Sequence, residues 1–201
     1  THALDASMLA ALDGVVAEAT KAFDRYDAAR ALEITEAFFW TFCDDYLELV
    51  KERAYDRTNV GQASAALALR LALSTLLRLL APIVSFATEE AWSWFEDGSV
   101  HTAAWPEPRG DAGDPAVLAT ASKALIGIRR AKTEAKASQK TPVSSATIAA
   151  PAAEIAALEA AADDLRAVGR IAELGFVEAE ELLVTAIELD SADSVAQTEG
   201  A

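Results

Sequence analysis

The sequence predicts a mainly α protein: a helical bundle followed by a small α+β unit. Three observations point there. Of 201 residues, 52% are apolar, and the composition is dominated by alanine and leucine, both strong helix formers. Up to residue 140 the apolar residues recur at steps of three and four, the spacing of one helix face. After Pro142 the pattern changes to short β-branched runs around one Ala/Leu/Glu-rich stretch.

The first helix is predicted over about 5–25, on the stripe Leu12, Val15, Val16, Ala19, Phe23 and Tyr26. Asp24 to Asp27 make a turn. A second helix is predicted over about 28–55, with Leu32, Phe39, Cys43, Tyr46 and Val50 on one face. Phe38, Trp40 and Phe42 widen that face, which predicts burial on more than one side. Asn59-Val60-Gly61 breaks the chain. A third helix follows over about 62–80. Proline is tolerated in a first helical turn, so a fourth is expected to restart at Pro82 and run to Phe95.

Residues 101–115 carry three prolines and two glycines and read as a loop. A fifth helix is predicted over about 115–138. Beyond it lie a strand at 143–148, a helix at 151–167, and strands at 170–177 and 182–189. The domain division expected is a bundle at 1–110, a basic helix with the α+β subdomain at 111–190, and a polar tail at 191–201.

The net charge is −15, which argues against a surface built throughout for nucleic acid. The charge is uneven. Residues 1–122 sum to −10 and residues 141–201 to −10, whereas residues 123–140 sum to +5 with six cations. Within that segment Arg129, Lys132, Lys136 and Lys140 step by three, four and four, a stripe on a helix. Leu118, Ala121, Leu125 and Ile128 step the same way on nearly the same face. A face that turns from apolar to cationic is expected to overhang the bundle and present its cations to solvent or to an anion. An ordinary charged helix end explains the composition as well. Lys51, Arg53 and Arg57 form a second cluster, interleaved with Glu52 and Asp56, and ordinary helix-end charges account for it too.

Other chemistry has little support. The single cysteine, Cys43, permits no disulfide within the chain and reads as a core thiol among Phe39, Tyr46 and Leu47. His2 and His101 have no partner at ligand spacing, and Asp44, Asp45 and Glu48 read as exposed acids rather than a metal site. No phosphate-binding loop, zinc-hydrolase or serine-hydrolase signature occurs, and no nucleophile–base pair. No membrane span is expected, because Arg78 interrupts the most apolar run, Leu71 to Phe86. The cysteine usage fits a reducing compartment. The chain opens on Thr1, and its one methionine is Met8. A piece of a longer protein is expected.

Three segments then carry a resemblance. Phe23-Asp24-Arg25-Tyr26-Asp27-Ala28-Ala29-Arg30-Ala31-Leu32-Glu33 leads into Phe39-Trp40-Thr41-Phe42-Cys43-Asp44-Asp45-Tyr46-Leu47-Glu48-Leu49-Val50-Lys51. Leu76-Leu77-Arg78-Leu79-Leu80-Ala81-Pro82-Ile83-Val84-Ser85-Phe86-Ala87-Thr88-Glu89-Glu90-Ala91-Trp92 follows, and Gly98-Ser99-Val100-His101 with Trp105-Pro106 closes the set. Together they resemble the anticodon-binding domain of the class Ia aminoacyl-tRNA synthetases. The Phe42-to-Lys51 wording and Ile128-Arg129-Arg130-Ala131-Lys132-Thr133-Glu134-Ala135-Lys136 are similar to the valyl branch of that family.

The resemblance covers about residues 20–190. It implies a non-catalytic module that holds the anticodon stem-loop of tRNA for valylation by a catalytic domain in cis. It also implies a monomer in the cytoplasm, with ATP bound by that other domain and no cofactor here. The candidate phosphate contacts are Arg129, Lys132, Lys136 and Lys140, then Lys51, Arg53 and Arg57. A helical module docking an acidic protein partner is the alternative.

The chain departs from the family in three places. Ala81-Pro82-Ile83-Val84-Ser85-Phe86 stands where the family usually has His-Pro-x-x-Pro-Phe. The HIGH and KMSKS signatures of class I catalysis are absent, as is the long basic coiled-coil arm of many bacterial valyl enzymes.

Overall fold

The computed structural model describes residues 2–110 and 112–189. The predicted polar tail at 191–201 lies outside the described residues. The chain forms two compact units, Thr1–Asp44 with Arg57–Pro115, and Asp45–Asp56 with Ala116–Ala201. Residues 45–56 therefore group with the later part of the chain.

In the first unit, α1 spans Ala3–Asp24 and α2 spans Ala28–Thr41. Leu4, Met8, Leu12, Val16 and Ala19 are fully buried along α1 and form its core stripe. The start of α1 is tied down: Ser64 Oγ accepts from the His2 N–H at 2.8 Å and donates to Asp5 Oδ2 at 2.6 Å. Asp27 caps α2, its Oδ1 accepting from the Arg30 N–H at 3.0 Å.

The predicted helix at 28–55 is one continuous run with an internal irregularity. A π turn, Phe42–Tyr46, separates α2 from α3, Leu47–Tyr55. The chain passes from one unit to the other within this run.

Helix α4 spans Gln62–Leu80 and is long and apolar enough to cross a membrane, with a mean hydropathy of 1.6 in its most apolar window. Its contacts give it another role. Ala65, Ala68, Ala72, Leu76 and Leu79 are buried, and the helix packs against α1 and α2. The expected restart at Pro82 is corrected. Residues 81–84 form a turn in which the Ile83 and Val84 N–H groups both donate to the Leu80 carbonyl, at 2.9 and 2.8 Å. Helix α5 then covers only Ser85–Trp92. Pro82 has no N–H to continue the ladder, and the chain recovers helical geometry three residues later.

The loop after α5 lies along α1. Trp105 stacks edge-on against Phe23, with ring centroids 5.3 Å apart, and its indole N–H donates to Thr20 Oγ1 at 2.8 Å. Asp13 Oδ2 accepts from the Arg109 and Gly110 N–H groups, both at 2.9 Å. Gly113 passes so close to α1 that a Cβ there would lie 2.1 Å from the Ala6 carbonyl oxygen.

The second unit contains α3, α6 (Pro115–Glu134) from Ala116 onward, and a three-stranded sheet backed by two short helices. The strands are β1 (Val143–Ala150), β2 (Ile171–Glu178) and β3 (Leu183–Leu189), in the order β2-β1-β3. β1 runs parallel to β2, with Ala146 opposite Leu174, and antiparallel to β3, with Ala146 opposite Ile187. A parallel pair needs a crossover connection. Helices α7 (Ala152–Ala160) and α8 (Ala162–Gly169) supply it, so the single helix predicted at 151–167 is broken at Ala161. Within this unit α3 packs on α8.

Candidate nucleic-acid interface

The second unit holds an open cleft of about 820 Å³ between the end of α3, the second half of α6, the 139–140 turn and the end of α8. Lys51, Arg129, Lys140 and Arg170 line it, with Glu48, Glu52 and Asp56 on the same wall as Lys51. The Tyr55 ring, 81% exposed, also reaches it. Lys132 lies in its wall too, so four of the seven cations that the sequence singled out, Lys51, Arg129, Lys132 and Lys140, meet in one concavity.

Two of these cations share an acidic neighbour. Glu48 lies 3.6 Å from Lys51 Nζ and 3.9 Å from an Arg129 guanidinium nitrogen. Exposed pairs of this kind contribute at most about 1 kcal/mol.

The continuous cationic stripe expected on the fifth helix is corrected. Helix α6 ends at Glu134, not near 138. The Lys136 N–H donates to Thr133 O and the Ala137 N–H to Lys132 O, each at 2.9 Å, and Lys136 takes a φ of 56°. This is the hydrogen-bond pair that closes a helix through a left-handed residue. Glycine is its usual signal, and Ala135-Lys136-Ala137-Ser138 contains none. Lys136 is therefore exposed on a turn after the helix, and Lys140 lies on a second turn.

Lys132 does not face solvent. It is 1% exposed, and its Nζ donates to three backbone carbonyls: Gln139 at 3.1 Å, Thr141 at 2.8 Å and Gly169 at 2.8 Å. All three donations require the ammonium form. Burial first, then the nearby Arg170 charge, lowers its pKa below the ordinary lysine value. The cation secures the 139–141 segment and the end of α8, where carbonyls carry partial negative charge.

Arg53 is corrected in the same way. It is 6% exposed, and its Nε and a terminal nitrogen donate to Asp164 Oδ1 and Oδ2 at 2.9 and 3.1 Å. Arg57 belongs to the first unit and is exposed.

Arg170 was missed by sequence reasoning. It ends α8 with a φ of 52°, and one guanidinium nitrogen donates to the Lys140 carbonyl at 3.1 Å. Its sequence signal is faint: Arg166 and Arg170 are the two cations after Lys140. The structure separates them, because Arg166 pairs with Asp163 on α8 at 2.9 Å, whereas Arg170 opens into the cleft. Among the described residues no group of three or more His, Cys, Asp or Glu side chains could hold a metal ion.

The model of the anticodon-binding domain of tRNA ligases matches residues 5–148. The chain belongs to that family. This anticodon-binding domain is 59% identical over 196 residues to a valine–tRNA ligase of Leifsonia xyli, covering 96% of the chain and 23% of that relative. It is 49% identical over 94% of its length to the valine–tRNA ligase of Cutibacterium acnes and 54% identical over 88% to that of Thermobifida fusca, covering 22% and 20% of those proteins. The chain thus spans less than a quarter of the curated relatives it matches.

Proposed function

We propose that this anticodon-binding domain is the tRNA module of a valine–tRNA ligase, holding the anticodon stem-loop while a catalytic domain in cis performs ATP-dependent valylation. The similarity to valine–tRNA ligases along 88–96% of the chain carries this reading. The cleft supplies a physical basis. A loop RNA is gripped by cations on its phosphates while its unstacked bases are read separately. Lys51, Arg129, Lys140 and Arg170, with Lys136 on the neighbouring turn, are the phosphate contacts. Arg57 serves in the same role from the first unit. Lys132 and Arg53 contribute by holding the cleft walls in place.

ATP binds to the catalytic domain, and this domain needs no cofactor. The protein works as a monomer in the cytoplasm. The acidic remainder of the surface repels RNA that does not reach the cations, which restricts binding to the presented stem-loop.

Titrating the protein with valine tRNA over a salt series tests this. Each phosphate neutralised contributes about 0.7–0.9 to the log–log slope. Lys51→Glu with Arg129→Glu should weaken binding by at least tenfold and reduce the slope by about 1.4–1.8. Unchanged affinity and slope would sink the reading, and salt-independent binding to an acidic protein would favour a protein-docking module.

A further inference from the structure

Three described residues other than glycine hold a positive φ: Tyr26 at 60°, Lys136 at 56° and Arg170 at 52°. Each follows the end of a helix, where glycine is the ordinary occupant because a Cβ crowds the neighbouring carbonyl. Lys136 and Arg170 are cations of the second unit. Tyr26 is neutral, aromatic and in the first unit.

The backbone at Tyr26 is closely determined. Its N–H donates to Phe23 O and the Asp27 N–H donates to Ala22 O, both at 2.9 Å. This pair ends α1 and places the left-handed residue at position 26. Asp27 then caps α2 through the Arg30 N–H. The turn therefore forces its strain on a bulky side chain, and that side chain is 98% exposed. No packing inside the protein offsets the strain. Such a conformation, retained by a large ring in water, points to an external contact. The other highly exposed rings, Tyr55, Phe86 and Trp94, lie on ordinary backbone.

The surroundings narrow the contact. A hollow of about 260 Å³, lined by both chain neighbours of Tyr26, Arg25 and Asp27, also holds Lys21, Arg30 and Glu18. Lys21 pairs with Glu18 at 2.6 Å and Arg30 with Glu33 at 2.7 Å, both in exposed, exchangeable geometry. An exposed ring on a turn whose next residues carry cations suits a nucleobase with its flanking phosphates, since every base has a π face and each phosphate needs a cation.

We infer that Tyr26 is a stacking platform for an unpaired base of the bound RNA, with Arg25 and its cationic neighbours on the adjoining backbone. This rests on the tRNA-binding reading above and adds a base contact that the cleft does not supply. A glycine at position 26 suits the turn better than tyrosine, so removing the ring does not endanger the fold.

The test pairs the protein with valine tRNA carrying 2-aminopurine at each unpaired anticodon-loop position in turn. One position should be quenched on binding to the wild type and to Tyr26→Phe, and lose that quenching with Tyr26→Gly. Tyr26→Gly should weaken binding about 5- to 150-fold, leave the salt slope unchanged, and melt no lower than the wild type. An affinity untouched by Tyr26→Gly, or quenching that survives it, overturns the stacking role. If Lys51→Glu with Arg129→Glu still weakens binding in that case, the tRNA-binding reading stands without it. If neither variant has an effect, both fail.

Discussion

Arg53 and Asp164 form a two-point ion pair, 111 residues apart in sequence, that joins α3 to α8 beneath the surface. It ties residues 45–56 into the unit made mostly by the later chain. Removing one partner leaves the other charged and buried. Arg53→Met should therefore destabilise the second unit by about 3–5 kcal/mol in denaturant unfolding. A phosphate contact at Arg53 would instead leave stability intact and alter only the salt slope.

Lys132→Met should behave similarly. The aliphatic stem is replaced, but three carbonyls lose their donor. A loss of about 2–4 kcal/mol is expected, read as a lower midpoint at unchanged denaturant slope. The 139–141 segment should open first, seen as loss of amide protection there. A charge reversal at Lys132 consequently tests folding, and a binding defect from it would say nothing about RNA contact.

Arg170 separates stability from binding. It sits on left-handed backbone, so Arg170→Gly should stabilise the protein by about 1 kcal/mol in thermal melting. The same change removes a cleft cation. Affinity for valine tRNA should fall, with the salt slope reduced by about 0.7–0.9. A gain in both properties would exclude Arg170 from the interface.

Cys43 provides a pH prediction. Burial first, and then the Asp44 carboxylate, raises its thiol pKa above the ordinary value. Only the thiolate reacts, so at any pH below that raised value Cys43 carries less of it than a free cysteine does. Alkylation at pH 8 should be slower than for a free thiol and should climb through the alkaline range with a midpoint above that of a free thiol. Asp44→Asn should move the midpoint down slightly.

The helical elements were legible in the sequence because each core face repeats at the helical period. Leu12, Val16 and Ala19 on α1 are buried as their spacing predicts. The sheet was legible from its β-branched runs, and its strands begin within a residue of expectation. Helix endings were less legible. The stop at Glu134 is made by a left-handed lysine, and the turn after Leu80 by a proline three residues ahead of the helix it was expected to start. Neither carries the glycine that marks such points.

The cationic residues divide the same way. Spacing along one segment singled out Arg129, Lys132, Lys136 and Lys140 as a group, and local sequence singled out Lys51, Arg53 and Arg57. Charge type and density are properties of the chain alone, so the basic segment of an acidic protein can be found without coordinates. The direction of each charge is not such a property. Whether Lys132 meets water or three carbonyls depends on where residues 139, 141 and 169 return to α6, and whether Arg53 is free or paired depends on α8. Those are long-range approaches that no period records. The sequence by itself determined the helices, the sheet and the family. Tertiary structure decided which cations hold the protein together and which remain at the surface, because burial and carbonyl contacts arise only when distant segments meet.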